Sequence, residues 1–258
     1  MIFNLTGGGG IRKPQFSYTG DYLESAYQGT DGVSYKLYTL TSSGVLTAKM
    51  KNADIWLCGG GANGSSTSQN YGGGGGYCAQ LDGKTLSGEY TVVIGSAGGA
   101  SAVGELLSAS GAAAQNGGTG GGGRGGALAG AGDGQSKYPF GDTAQFRCHC
   151  AGGGGGGYAS SYPSQQRYGG VGGTNGGNGG AGSSTEADPR YVSGGTGGDY
   201  GGGSGGMGDG NNSASSGSSA VFYGSGGGGR GYQSGNYGTN SASGGAGYQG
   251  VVYIRVPA

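Results

Sequence analysis

Glycine runs with a period of three constrain this chain more than any other feature. Between Tyr168 and Met207 it reads GGV-GGT from Gly169 and GGN-GGA from Gly176. It then reads GGT-GGD from Gly194 and, after Tyr200, GGG, Ser204 and GGM. A left-handed extended helix has three residues per turn, about 3.1 Å rise per residue and no internal hydrogen bonds. In such a helix GGX places every X on one edge and leaves two edges bare. Bare edges let neighbouring backbones approach closely. Their N–H and C=O groups must then find partners sideways. The pattern predicts a bundle of polyglycine II helices.

Composition offers disorder as the competing outcome. The 258 residues include 75 Gly and 5 Pro, and Leu, Ile, Val and Phe fall short of the roughly 20% that disordered chains also miss. Ordering glycine costs more backbone entropy than ordering any other residue. Three features favour order. Charge is balanced at 13 basic and 13 acidic residues, there are 19 Tyr, and strand-like segments flank the tracts. The chain has too few large apolar residues for two ordinary cores. We expect residues 33–258 to form one glycine-rich β and polyglycine II domain, preceded by an N-terminal arm or attachment segment over residues 1–32. Five prolines without a strict triplet phase exclude collagen. Neutral charge gives no electrostatic case for nucleic acid or membrane surfaces. No signal peptide and no apolar run of membrane-spanning length is visible, so synthesis and folding in a cytoplasm are expected.

The four cysteines are Cys58, Cys78, Cys148 and Cys150, the last two flanking the only histidine, His149. Without a C-x-x-C spacing, zinc is not expected. The even count admits disulfides, but without a secretion signal buried free thiols are expected first, with Cys148 and Cys150 on one face of a strand.

Taken in order, the chain predicts short strands that pass directly into glycine. Ser34–Leu40 is rich in strand formers. Val45–Lys51 follows, and Asn52-Ala53-Asp54 reads as a turn into Ile55–Cys58. The continuous apolar run there suits a strand covered on both faces. Tyr77–Ile94 reads as a hairpin, with turn signals at Asp82-Gly83 and Ser87-Gly88. Val103 to Leu107, Gln145–Ala151 and Ser219–Tyr223 are further strand candidates, and Gly250–Val256 is among the clearest. Tyr22–Gln28 admits one or two helical turns. The fold class expected is mainly β: a small antiparallel β-sandwich carrying long glycine-rich loops packed as a polyglycine II bundle, with little or no α-helix.

The run ADIWLCGGGANGSS…YGGGGGYCAQ…EYTVVIGSAGGA (Ala53–Ala100), CHCAGGGGGGY (Cys148–Tyr158) and the closing GYQGVVYIRV (Gly247–Val256) resemble the glycine-rich domain of bacteriophage tail and virion proteins. A related domain occurs in the ectodomain of the anaplastic lymphoma kinase receptor. No kinase or membrane segment is present in the sequence, which favours the phage setting. The resemblance spans about Val33 to Val256. It implies a β framework with a polyglycine II bundle, a place on the virion and, often, adhesion to the host. The four cysteines and the longer Tyr/Arg inserts depart from the pattern.

Glycine-rich chains generate false motifs. Gly202–Gly206 satisfies G-x-S-x-G, but no strand and helix flank it as a nucleophile elbow requires. G-x-G-x-x-G matches lack a β-α-β context. Gly83-Lys84-Thr85 ends like a phosphate loop, yet the first glycine of that motif would fall at Cys78. Arg124, Arg147, Arg167, Arg190 and Arg230 stand singly, so no nucleic-acid stripe forms, and no close carboxylate pair suggests a glycosidase. No catalytic residue, metal or cofactor is expected. Recognition remains. Inserts rich in Tyr, Ser, Gly, Asn and Arg have the composition of adaptable binding loops. The candidate receptor-binding residues are Tyr158, Tyr162, Gln165, Gln166, Arg167, Tyr168, Asp188, Arg190 and Tyr191. The structural alternative is that these tyrosines cover the bundle edge. The expected function is non-enzymatic host recognition at a phage tail tip or fibre, on a virion assembled in the host cytoplasm. The expected partners are other virion proteins and a protein or glycan receptor, with a trimer by analogy to fibres. A purely structural baseplate, tail or capsid decoration role is the alternative.

Overall fold

The computed structural model describes residues 15–66, 72–112, 138–154, 201–207, 214–231 and 242–258. It also describes the backbone pairing of a few short strands between them. The protein is mainly β, built on one antiparallel sheet of eight strands. They are β1 (Gln15–Tyr18), β2 (Tyr22–Gln28), β3 (Ser34–Leu40), β4 (Gly44–Cys58), β5 (Cys78–Val93), β6 (Ser101–Val103), β7 (Leu107–Ala109) and β8 (Val251–Pro257). Their order across the sheet is β2-β3-β8-β4-β5-β6-β7, with β1 also paired to β4.

β4 explains how one sheet encloses a core. Its first half pairs with β1, from Leu46 opposite Tyr18 to Lys49 opposite Gln15. Its second half pairs with β8, from Asp54 opposite Arg255 to Cys58 opposite Val251. Between them the register with β5 shifts around Met50, Ala53 and Ile55, and Asn52 takes φ 54°. Such a bulge bends the strand and sharpens its twist. The two halves therefore face each other across Leu40, Leu46, Met50, Ile55, Leu57, Val252 and Ile254. Phe16 of β1 stacks on Tyr38 of β3, with ring centroids 3.8 Å apart.

Several expected elements differ. The turn at Asn52–Asp54 is a bulge inside a continuous 15-residue strand. The hairpin expected over Tyr77–Ile94 is instead the 16-residue β5. Gly83 and Gly88, with φ 65° and 126°, absorb irregularities there rather than reversing the chain. The true hairpin is β4 with β5, closed by the first glycine loop. Tyr22–Gln28 is a strand, so both described strands of the expected N-terminal arm join the sheet. The strand expected between Val103 and Leu107 is a tight hairpin, β6 with β7.

Residues 145–151 and 219–223 are not strands. Residues 138–151 instead lie across the sheet, held at two points. The Asp142 carboxylate accepts from the backbone N–H groups of Thr30, Ala144 and Gln145 at 3.1–3.3 Å. The Arg255 guanidinium lies between the Tyr35 and Phe140 rings, at 4.2 and 4.4 Å. Arg255 also donates to Asp54 at 2.8 Å and to the Tyr27 hydroxyl at 3.1 Å.

The glycine segments form a lattice. At its centre runs residues 224–231. Gly226 and Gly229 donate to Ala151 and Gly154, Gly227 and Arg230 to Ala62 and Ser65, and Gly228 and Gly231 to Ser218 and Ser215. The same segment accepts from Gly203 and Gly206, from Gly73 and Gly76, and from Gly245 and Tyr248. Six neighbouring segments thus surround it, and each is bonded at two positions three residues apart. That spacing is the signature of a helix with three residues per turn. Outer segments show the same period as exposure: Asn63 and Ser66, Ser204 and Met207, and Ser243 and Ala246 face solvent. In the centre no position has room. A Cβ on Gly226, Gly227 or Gly228 would run into the carbonyl of Gly73, Gly245 or Ser204 respectively.

Candidate functional site

The directions of the glycine segments decide what the bundle displays. Residues 59–66 leave β4 and run outward, and residues 72–77 return to β5. Residues 150–154, 201–207 and 224–231 also run outward, parallel to one another by their registers. Residues 214–221 and 242–250 run back, the last into β8. Every described outward segment therefore ends at the same place, away from the sheet: at Ser66, Gly154, Met207 and Gly231. At about 3.1 Å per residue, that tip stands roughly 20 Å beyond the start of the central segment.

The backbone continues past the tip in short pairs. Tyr158–Ser160 pairs in parallel with Tyr232–Ser234, Tyr158 opposite Tyr232. Tyr191–Val192 pairs with Gly208–Asp209, Tyr191 opposite Asp209. The four strands lie beside one another. Of the expected receptor-binding residues, the structure thus brings the backbones of Tyr158 and Tyr191 to one end of the molecule. Tyr162, Gln165, Gln166, Arg167, Tyr168, Asp188 and Arg190 lie outside the described residues. The sequence reading missed the strand at Tyr232. Its signal is a tyrosine directly after the central tract, placed as Tyr158 is after Gly157.

At the opposite end, where bundle meets sheet, chemistry-bearing side chains are buried. His149 is 1% exposed. Its Nδ1 donates to the carbonyl oxygen of Arg147 at 2.8 Å, and its Nε2 accepts from the Tyr253 hydroxyl at 2.9 Å. One donor and one acceptor suit only the neutral ring. Burial holds its pKa down to about 4, against a smaller upward pull from the Arg147 carbonyl. Burial likewise raises the Tyr253 hydroxyl. Trp56, Phe222, Tyr223 and Tyr253 surround the ring. Both His149 nitrogens are thus occupied, by the Arg147 carbonyl and the Tyr253 hydroxyl.

All four cysteines are buried thiols. Cys150 does not share a strand face with Cys148, because Cys150 takes φ 62°. It turns instead toward Cys78, sulfur to sulfur 3.3 Å, and toward Cys58. Cys58 and Cys78 are cross-strand partners at the end of the β4–β5 ladder. The signal for this convergence was present in the sequence. Cys58, Cys78 and Cys150 each stand at the junction of a glycine tract with the framework, so tracts rooted together bring them together.

Among the described residues no group of three or more His, Cys, Asp or Glu side chains is arranged to hold a metal ion. Among the same residues no helix is long and apolar enough to cross a membrane. The arrangement gathers the outward glycine segments at one end and buries His149 and three of the cysteines at the other. Comparison with protein-family models, with curated proteins and with solved structures finds no match to this chain.

Proposed function

We propose that this protein is a non-enzymatic virion component of a bacteriophage tail tip or fibre, which recognises the host surface through loops carried at the end of its glycine bundle. The observation that carries this reading is the convergence of the outward glycine segments on one tip, with the strands of Tyr158, Tyr191 and Tyr232 side by side beyond it. A scaffold whose helices are fixed by backbone bonds on every side loses little further freedom when its loops bind. Preorganisation of that kind raises affinity by lowering the ordering cost. Tyrosine supplies large contact area for few rotatable bonds. The resemblance to phage glycine-rich domains supplies the setting.

The test is binding of fluorescently labelled protein to intact cells of a bacterial strain panel. It runs beside a variant with residues 162–168 replaced by a Gly-Ser segment, its fold checked by thermal melting. Saturable binding to some strains, lost in the variant and competing with phage infection, is expected. Folded protein that binds no strain would sink receptor recognition and leave a purely structural virion role.

A further inference from the structure

The structure assigns an oxidative modification site to the joint between sheet and bundle: Cys78 and Cys150 are placed to form a disulfide when the protein meets a hydroperoxide. The pair joins two parts of the molecule that are far apart in sequence. Cys78 opens β5, and Cys150 opens the glycine segment that lies against the central tract. Their sulfurs are 3.3 Å apart, so a bond of about 2.05 Å needs an approach of only about 1.3 Å. The surroundings favour that approach over reaction elsewhere. Cys150 and Cys58 are 0% exposed, whereas Cys78, at 7%, stands at the rim where a small oxidant arrives first. Leu37, Trp56, Val251 and Tyr253 line the same cluster, and its third thiol, Cys58, which also neighbours Cys150, is fully buried.

The chemistry closes with one equivalent of hydrogen peroxide. The Cys78 sulfur attacks the O–O bond, one water leaves, and a sulfenic acid forms. The Cys150 sulfur then displaces the hydroxyl as a second water and forms the S–S bond. Two thiols lose two electrons and two protons, and one peroxide becomes two waters. Burial in apolar surroundings raises the Cys150 thiol. That makes it a poor first nucleophile, while its place 3.3 Å from the Cys78 sulfur fits it to the second, intramolecular step. The product staples the sheet to the bundle. The link forms only after the chain has folded, because only the fold brings the two sulfurs together.

The experiment treats the reduced, folded, full-length protein with dilute hydrogen peroxide, quenches it with a thiol alkylator in denaturant so that every buried thiol reacts, and maps the cross-link by mass spectrometry. Loss of the mass of two hydrogens, a Cys78–Cys150 linked peptide, and two thiols still alkylated at Cys58 and Cys148 are expected. The melting temperature should rise by about 5 °C and return on reduction. A Cys148→Ser variant should behave the same way. Four alkylated thiols after treatment, a link through Cys58 or Cys148, or sulfinic acid at Cys78 without a link would each overturn the assignment. Because the wild-type map alone decides, the result stands even if a Cys78→Ser or Cys150→Ser variant fails to fold.

Discussion

The sheet and the glycine bundle hold together by opposite means. In the sheet, side chains do the work. Leu40, Ile55, Leu57, Val252 and Ile254 are 0% exposed, and burying each stabilises the fold by about 1.5–3 kcal/mol. In the bundle, the central segment contributes no side chain between Gly226 and Gly229. Its stability comes from backbone bonds to six neighbours, each worth about 1 kcal/mol net. Glycine is the costliest residue to order, so the lattice depends on every bond being made. A bundle of this kind tolerates change at its outward-facing third residues and almost none within. A sheet tolerates exchange among apolar residues of similar volume.

The sharpest way to break the comparison is Gly227→Ala. The new Cβ meets the Gly245 carbonyl, part of a neighbouring backbone that is itself held through both the Gly245 N–H and its C=O. We expect a loss of about 4 kcal/mol or more, beyond the usual overpacking range, or failure to fold. The readout is thermal or urea denaturation. A fully stable Gly227→Ala protein would mean the lattice is far more compliant than its bonds imply.

The joint between the two regions gives the next effect. His149 is neutral in the fold with a pKa of about 4, against 6.5 when exposed. Its pKa is depressed, so between these values the unfolded chain binds the extra proton and stability rises with pH. The contribution is fully present above pH 6.5, falls as pH drops, and is lost by about 3 kcal/mol at pH 4. Denaturation midpoints at pH 7 and pH 4 measure it, and His149→Gln should flatten the difference. An unchanged slope in that variant would place the pH dependence elsewhere.

The smallest effect sharpens the contrast within glycine itself. Gly83, inside β5, has φ 65° and nothing near its absent Cβ. Gly83→Ala should therefore cost only the left-handed backbone penalty, about 1 kcal/mol, by the same denaturation assay. The same substitution at Gly227 acts through packing. The ratio of the two measures how much of this protein's glycine is there for space rather than for conformation.

The sequence made much of this architecture legible. Ser34–Leu40 and the closing run at Val251 read as strands because β-branched and aromatic residues leave few other options there. The period of three determined the helix type where the structure describes it, at residues 201–207, since only a threefold helix puts every X on one edge; the GGX runs from Gly169 to Asp199 lie outside the described residues. Tertiary structure decided the rest. Gln145–Ala151 has strand composition, yet Asp142, Arg255 and the positive φ of Cys150 hold that stretch across the sheet as irregular chain. Asp82-Gly83 and Ser87-Gly88 look like turns, but pairing with the long β4 carries β5 through both as one continuous strand. The candidate tip was legible as tyrosine-rich inserts and not as a place, because segment direction is invisible in a run of glycines. Local sequence sets how each segment is shaped. Which six segments surround residues 224–231, and which cysteines meet beneath them, depend on hydrogen bonds between residues up to about 180 positions apart, which no local pattern encodes.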